Sequence, residues 1–292
     1  MRISVIVPTV ERVEALRNCL NCLLKQKYPI FEIIVVYYEK DLPTIEALKE
    51  FPMVRTAKVT RTGAVLAYNT GKSLATGDIV THIDDDTRPG EMWAQKISDY
   101  FKRIPDLQGL GGRDRICQFD GKVDTSSLKD EVGVVKWYGK LIGNHHLGRG
   151  APRSVDFLKG CNMSFRKNFV SDLSFDERLL GNASQIGLEF DFCLQVKKKG
   201  GLLIYDPSVE LDHYALARSK SDVDQREFRY LGYRNAIHNS NFAIKKNLGF
   251  FMFLKVGLYN YMWELARLHR PHWVKRNYAS VWSFFVILFK KV

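Results

Sequence analysis

The sequence predicts an α/β fold with a mostly parallel, doubly wound sheet and a helical C-terminal extension. Over the first hundred residues, four apolar runs rich in β-branched residues alternate with segments of helical pattern. This alternation is typical of parallel strands joined by right-handed helical crossovers. From Gln225 onward the pattern is helical. With 292 residues, 46% of them hydrophobic, the chain is long enough to bury a full core.

The predicted elements follow one another in a regular order. Strands are predicted at residues 2–8 (RISVIVP), 31–38, 54–60 and 78–83, separated by helices at 14–26, 43–50 and 64–74. Pro89 and Gly90 are predicted to open a further helix. The remaining predictions are a glycine-containing, loop-rich section at 105–160, a strand or turn at 157–167, a helix at about 188–199, and two short strands, LLIYDP and VELDH.

An acidic turn follows the fourth predicted strand, where VTHIDDDTRPG contains Asp84, Asp85 and Asp86. Because ligands of parallel sheets bind beyond the carboxyl ends of the strands, this turn is expected to line a crevice. The segments expected around that crevice are 8–12, 37–41, 61–63 and 84–88. Adjacent carboxylates repel one another unless a positive group lies among them, and hard cations such as Mg²⁺ prefer oxygen ligands. The position favours a metal site, and an acidic surface turn is the alternative because Asp is common in turns.

The cysteines and the N-terminal segment indicate a cytoplasmic protein. Of five cysteines, only Cys19 and Cys22 lie close together, and both fit the apolar face of a predicted helix. No second pair completes a zinc-type spacing. The first strand begins without the regions of a signal peptide, and no run of 18 or more apolar residues is present.

Four segments, in order, resemble those of family 2 glycosyltransferases with a GT-A fold. They are SVIVPT in the first strand, VLAYNTGKSLATGDIVTHIDDD (65–86), KGCNMSFRK (159–167), and GLEFDFCLQVKKKGG (187–201) followed by YDPSVELDH (205–213). The likeness spans roughly residues 2–214, so residues 1–214 are predicted to form the catalytic domain. It implies inversion at the anomeric carbon of a nucleotide-activated sugar, with Mn²⁺ or Mg²⁺ stabilising the leaving diphosphate. The expected acceptor is a hydroxyl of a saccharide or lipid-linked saccharide, in polysaccharide or glycolipid synthesis.

The resemblance assigns a metal-binding role to part of the acidic turn. Asp84 and Asp86 match the two acids of the DxD motif, with Asp86 in direct contact with the metal. Asp85 is expected to orient the ribose or sugar. His213 matches a histidine that approaches the metal or the diphosphate, and a strand-end imidazole with satisfied hydrogen bonds is the alternative. The predicted metal ligands are thus Asp84, Asp86 and His213.

The catalytic base is predicted from the helix that follows. Glu189 matches the position of the family's catalytic acidic residue, although Leu188 replaces the first member of the usual acidic pair. Asp191 is the competitor, but residues two apart on a helix point in nearly opposite directions. Only one of the two can therefore face the substrate. The alternative for Glu189 is a structural acid that complements the helix dipole.

The donor is expected to contact residues from several loops. The predicted donor-binding residues are Pro8, Thr9, Glu11, Glu39, Asp84, Asp85 and Asn162. In the family an Asp after the second strand commonly reads the nucleobase, whereas this chain has Tyr37, Tyr38 and Glu39 there. Glu39 is expected to accept a hydrogen bond from the base, and a tyrosine to stack on it. This departure counts against a uridine donor and leaves guanosine and thymidine donors open.

The C-terminal residues 215–292 are basic and aromatic. They contain 14 Lys or Arg against 4 Asp or Glu, a balance of +10 within a total of +12. Cationic flanks around aromatic stretches suit an anionic membrane surface at the cytoplasmic face, and packing onto the catalytic domain is the alternative. Nucleic acid is not expected as a partner, since no signature of a nucleic-acid-binding module accompanies the charge.

Two other functions are compatible with an α/β sheet that carries acidic residues. A nucleotidyltransferase usually opens with a glycine-rich phosphate loop, and PTVERVEAL after the first strand contains no glycine. A non-catalytic, nucleotide-sugar-binding or scaffold protein would explain the unpaired Glu189 and the missing base-reading Asp.

Overall fold

A nine-stranded mixed sheet forms the centre of the fold. In the computed structural model the described residues are 1–117, 127–182, 184–214, 229–266 and 273–290. The N-terminal part consists of β1 (Ile3–Thr9), α1 (Val13–Leu24), β2 (Glu32–Tyr38), α2 (Leu42–Leu48), β3 (Arg55–Val59), α3 (Ala64–Leu74) and β4 (Ile79–Ile83). These four strands pair in parallel in the order β3–β2–β1–β4. The predicted α/β class is confirmed.

The next part of the chain contains β5 (Thr87–Pro89), α4 (Trp93–Arg103), β6 (Leu107–Ile116), β7 (Val134–Val135), β8 (Leu141–Ile142), a 3₁₀ turn (His145–Leu147), β9 (Arg153–Ser154), β10 (Asn162–Arg166), α5 (Leu188–Lys198) and β11 (Leu202–His213). Strands β7 and β8 form a separate two-stranded sheet, and the other strands extend the main sheet as its mixed part. The sheet continues from β4 through β10, β6 and β11 to β5, and β9 pairs with β11. Strands β6 and β11 run in the direction of β1–β4, and β5, β9 and β10 run in the opposite direction.

Strand β6 lies in a section that the sequence predicted to be loop, and that prediction was wrong. The three glycines that suggested a loop instead allow neighbouring chains to approach closely. A Cβ atom on Gly109 would lie 2.4 Å from the Leu203 side chain, and one on Gly112 would lie 1.5 Å from the Val209 carbonyl oxygen. These glycines therefore let β6 pack between β10 and β11, which a pattern of apolar side chains does not reveal.

Two boundaries also differ from the prediction. The predicted strands LLIYDP and VELDH are one strand, β11, with a register irregularity between Asp206 and Leu211. The helix expected to open at Pro89 begins instead at Trp93, because Pro89 still pairs with Leu211 in the short strand β5. The end of β11 is thereby held beside the acidic turn.

Three helices follow the sheet: α6 (Arg229–Leu248), α7 (Phe250–Leu265) and α8 (Trp273–Phe289). Phe242, Phe253 and Ile287 are completely buried and belong to the same hydrophobic core as Phe165 of β10 and Phe192 of α5. Packing onto the preceding residues is thus observed. The predicted helix start at Gln225 lies outside the described residues, and the domain boundary at 214 stays a prediction.

A buried polar cluster fastens α5 to α6. The Asp191 side chain is fully buried. It accepts hydrogen bonds from Lys246 Nζ at 2.8 Å, from Asn247 Nδ2 at 2.9 Å and from Gln195 Nε2 at 2.9 Å. Lys246 also pairs with Asp176 at 2.9 Å. We call Asp191, Lys246, Asn247, Gln195 and Asp176 the Asp191 cluster. It fixes the position of the helix that carries Glu189.

Candidate active site

The middle residue of the acidic turn is buried beneath the crevice. Asp85 is completely buried and accepts hydrogen bonds from Thr9 Oγ1 at 2.7 Å and from Arg12 Nε at 3.1 Å. Arg12 also pairs with Asp86, with Nη1 2.7 Å from Oδ2. The positive group that three adjacent carboxylates require is therefore Arg12, which precedes α1.

The contact with Arg12 does not fully offset the effect of burial on the pKa of Asp85. Burial raises the pKa of Asp85, and the neighbouring acids raise it further, while Arg12 and Thr9 lower it, so that the pKa is about 7. Through its hydrogen bonds, Asp85 connects the acidic turn to β1 and to Arg12. Asp84 and Asp86, on either side of it, are the acids that converge with His213.

Replacing Arg12 by Met is expected to destabilise the metal-free protein by about 3 kcal/mol. The substitution leaves Asp85 and Asp86 buried without their cation, and breaking a buried ion pair from one side typically costs that much. Urea unfolding in EDTA measures the loss. Saturating Mn²⁺ is expected to reduce the difference, because carboxylates that no longer pair with Arg12 should bind the cation more tightly in the variant, and tighter binding to the native state stabilises it more.

Arg17→Met is the matched control, because Arg17 lies on α1 and pairs with Glu50 at the surface. Its effect is expected to be much smaller. Equal stability of the Arg12 and Arg17 variants would contradict the role assigned to Arg12.

Asp84, Asp86 and His213 converge on one point. Each offers a ligand atom, and the three atoms lie within 4.8 Å of one another. His213 ends β11, with Nε2 3.3 Å from Asp86 Oδ1 and Nδ1 3.6 Å from Asp114 Oδ2. The Tyr68 hydroxyl donates to Asp84 Oδ1 at 3.0 Å. The structure thus brings together all three residues that the sequence predicted as metal ligands.

The chemistry of these side chains fits a divalent cation. Burial alone would lower the pKa of His213, but the carboxylates of Asp114, Asp86 and Asp84 raise it to about 10. Such a concentration of negative charge favours a cation at the same point. Two carboxylates suit Mg²⁺ or Mn²⁺, and an imidazole suits later transition metals as well.

A second possible ligand set shares the same histidine. Asp114, Cys161 and His213 also lie within 4.8 Å of one another. Burial raises the pKa of the Cys161 thiol well above its usual value, and Asp114 raises it further; a thiol is also a softer ligand than Mg²⁺ or Mn²⁺ prefers. Asp114 is better placed as the partner that orients His213, an arrangement common behind metal-binding histidines.

Glu189 lies close to Tyr68 and the acidic turn. A Cβ atom on Gly160 would lie 3.8 Å from Glu189 Cδ and 3.8 Å from the Tyr68 hydroxyl, which itself bonds to Asp84. Lys159 Nζ is 3.8 Å from Glu189 Oε1, and Glu189 raises the pKa of Lys159. Glu189 is therefore a carboxylate beside a cation, close to the acids that end β4.

Two residues predicted for the site are held elsewhere. Asp191, the competing candidate for the base, has both carboxylate oxygens engaged within the Asp191 cluster. Asn162, predicted to bind the donor, is 1% exposed. Its amide donates to the Val209 carbonyl at 2.8 Å and accepts from Trp93 Nε1 at 3.1 Å. This geometry gives both side chains structural roles.

The remaining predicted donor residues lie at the ends of β1 and β2. Pro8 is partly exposed and Thr9 is buried against Asp85. Glu11 is exposed, has a positive φ of 54°, and donates its backbone N–H to Asp41 at 2.6 Å. Glu39 is half-buried directly after β2. Glu11 and Glu39 are thus placed at the loops where a nucleotide is expected.

Sequence reasoning missed four polar residues of this site. Their roles became visible only from the three-dimensional contacts: Arg12, Tyr68, Asp114 and Lys159. Arg12 and Lys159 did lie inside segments that were singled out, 8–12 and 159–167. Asp114 carried no signal, because it belongs to the unpredicted strand β6.

Comparison with known proteins identifies the family. A model described as "Glycosyl transferase family 2" matches residues 4–173, more than half of the chain. The chain belongs to glycosyltransferase family 2. The matched segment includes Asp84, Asp85 and Asp86 but ends before Glu189 and His213.

Characterised members of the family resemble the chain at moderate identity. A glucosyl-dolichyl phosphate glucuronosyltransferase of Haloferax volcanii is 23% identical over 240 residues, covering 78% of this chain and 74% of that protein. The amylovoran biosynthesis glycosyltransferase AmsB of Erwinia amylovora is 25% identical over 215 residues, covering 68% and 64%.

Solved structures support the GT-A fold. The mannosyltransferase PcManGT from Pyrobaculum calidifontis, in complex with GDP-Man and Mn²⁺, matches with a TM-score of 0.57 and 14% identity, covering 98% of this chain and 73% of that chain. S. aureus TarS 1–349 matches with a TM-score of 0.56 and 14% identity, covering 97% and 81%. At this identity the likeness concerns the fold alone.

Proposed function

We propose that this family 2 member is a metal-dependent, inverting hexosyltransferase. It would transfer a sugar from a nucleotide-diphosphate donor to a hydroxyl of a saccharide or lipid-linked saccharide. The observation that carries the proposal is the convergence of Asp84, Asp86 and His213, with Glu189 nearby. Two acids and an imidazole at one point, and a separate carboxylate close to them, suit the two halves of a single displacement.

In this mechanism each side chain has a separate task. Asp84, Asp86 and His213 would hold Mn²⁺ or Mg²⁺, which would supply the positive charge that stabilises the leaving diphosphate. Tyr68 fixes Asp84 by its hydrogen bond. Glu189 accepts the proton of the acceptor hydroxyl as that oxygen attacks the anomeric carbon.

The choice of cation, donor and acceptor draws on the relatives. PcManGT was crystallised with GDP-Man and Mn²⁺, which supports a nucleotide sugar and makes Mn²⁺ the first cation to test. The name of the Haloferax enzyme specifies a dolichyl phosphate glucoside, which supports a lipid-linked acceptor. Glu39, which directly follows β2, is proposed to read the nucleobase.

A panel of nucleotide sugars tests the proposal. The purified protein is incubated with each donor and Mn²⁺, with and without EDTA, and the released nucleotide is identified. Release of nucleoside diphosphate from at least one donor, abolished by EDTA, is the expected result. Release of pyrophosphate would instead indicate a nucleotidyltransferase. Donor binding without turnover, with a panel of saccharide and polyprenyl-linked acceptors present, would indicate a binding or scaffold protein.

A further inference from the structure

Helices α7 and α8 each expose a stripe of large apolar side chains. On α7 the stripe contains Phe251, Leu258 and Met262, of which Phe251 is 81% exposed. The buried residues of this helix, Phe253 and Val256, belong to the hydrophobic core. Residues that recur every three or four positions lie on one side of a helix. The outer side of α7 is therefore apolar.

Helix α8 repeats this arrangement over its whole length. Five of its six large exposed apolar residues follow one another at intervals of three or four positions: Val274, Tyr278, Val281, Phe285 and Phe289; the sixth is Val286. The opposite side contains Ala279, Ser283 and Ile287, which are buried. Phe284 stacks on Phe253 of α7 with ring centroids 4.9 Å apart, so the two helices pack against each other. Soluble proteins rarely expose so many large apolar residues in one region unless that region binds something.

The charges on these two helices indicate which kind of partner could bind the apolar stripes. The single carboxylate of α7, Glu264, is buried and accepts from the Tyr233 hydroxyl at 3.1 Å. The sequence of α8 contains no Asp or Glu. Lys255 on α7 and Lys275 on α8 are exposed. The exposed apolar stripes are thus accompanied by cations only, which fits an anionic partner.

The length of the two helices indicates whether they could span a membrane or would lie on its surface. Helices α7 and α8 have 16 and 17 residues, whereas a spanning helix needs about 20 apolar residues. Within the described part of the chain, no helix has the length and apolarity required to cross a bilayer. Apolar residues on one side with exposed lysines are typical of helices that lie in the headgroup layer.

We propose that the outer sides of α7 and α8 form a docking surface for an anionic lipid bilayer. This surface is defined by Phe251, Leu258, Met262, Val274, Tyr278, Val281, Phe285 and Phe289, with Lys255 and Lys275. A second copy of the chain fits less well, because pairing these sides would bring like charges together in a protein of net charge +12. The surface does not depend on the proposed chemistry of the crevice.

Vesicle flotation tests the docking surface. The full chain is mixed with phosphatidylcholine vesicles that contain or lack phosphatidylglycerol, without donor or acceptor. We expect binding to the anionic vesicles and weaker binding at high salt, because salt screens the lysines. The triple variant Phe251→Gln/Phe285→Gln/Phe289→Gln is expected to bind at least about tenfold more weakly, since it removes all three phenylalanine side chains of the surface.

A matched triple variant controls for the loss of exposed apolar residues in general. Met53, Met92 and Phe31 are 65%, 50% and 47% exposed and lie outside the C-terminal helices, so their replacement by Gln is expected to leave vesicle binding unchanged. Lys255→Ser/Lys275→Ser is expected to weaken binding only to anionic vesicles. Donor turnover in solution and thermal unfolding should match the wild type in all variants, which separates this test from that of the catalytic proposal.

Three outcomes would overturn the docking surface. The first is absence of wild-type binding to anionic vesicles. The second is equal loss of binding in both triple variants. The third is a concentration-dependent dimer that the α7 and α8 substitutions dissociate, without any vesicle binding, because that result would assign the stripes to a second copy of the chain.

Discussion

Glu189→Gln is expected to lower kcat for sugar transfer by about 10²–10⁴-fold, the usual contribution of a positioned general base. The amide keeps the size of the side chain but cannot accept the proton of the acceptor hydroxyl. Binding of the donor with Mn²⁺ should be unchanged, because the three predicted metal ligands remain in place. Transfer rates at saturating donor and acceptor, together with calorimetric donor binding, measure the two effects separately.

The variant Asp191→Asn distinguishes the two acids of α5. Asp191 is fully buried against Lys246 and Asn247, so its replacement is expected to lower the free energy of unfolding without a selective loss of kcat. If Asp191→Asn abolished transfer at unchanged stability while Glu189→Gln remained active, the base would be Asp191. Glu177→Gln, an exposed glutamate that pairs with Arg61, serves as the neutral control.

Asp86→Asn is expected to weaken Mn²⁺ binding by more than about 100-fold. Loss of a residue that only supports a ligand costs up to about 100-fold in metal affinity, and loss of a direct ligand should cost more. Asp86 lies between Arg12 and His213, and it is one of only two carboxylates in the predicted ligand set. Transfer activity should fall in parallel, with partial recovery at high Mn²⁺. Titration of Mn²⁺ followed by electron paramagnetic resonance measures the affinity without any substrate.

The control for this substitution is Asp99→Asn, since Asp99 is exposed and bonds only locally to Gln95. Its Mn²⁺ affinity should equal that of the wild type. An Asp86→Asn protein that binds Mn²⁺ normally would show that the convergence of Asp84, Asp86 and His213 does not form the metal site.

Strands β1, β2 and β4 were predictable because they are largely buried on both faces. Ile3, Val5, Ile6 and Val7 of β1 are all completely buried, and such continuous apolar runs are clear signals of a parallel strand. Strand β6 gave no such signal, since its glycines at 109, 111 and 112 serve close packing. Because β6 was not predicted, Asp114, the residue that it contributes to the site, was not predicted either.

Some residues of the site could be predicted from the sequence and others could not. The acidic turn and His213 could be inferred, because strand order and family resemblance place the ends of β4 and β11 near one edge of the sheet. The contacts of Asp191 and Asn162 could not, since both depend on partners far away in sequence: Lys246 and Asn247 for the one, Trp93 and Val209 for the other. A polar residue within a family motif reveals its position, but not which way its side chain is turned.

The Asp191 cluster has a consequence for modular use of this chain. Residues 1–214 contain every predicted donor, metal and catalytic residue, and so look like a portable unit for chimaeras. Yet Lys246 and Asn247, which neutralise and hold Asp191, belong to α6, and a chain that ends at Tyr214 would leave that carboxylate buried without its cation. Chimaeras between this chain and its relatives should therefore take α5 and α6 from the same parent.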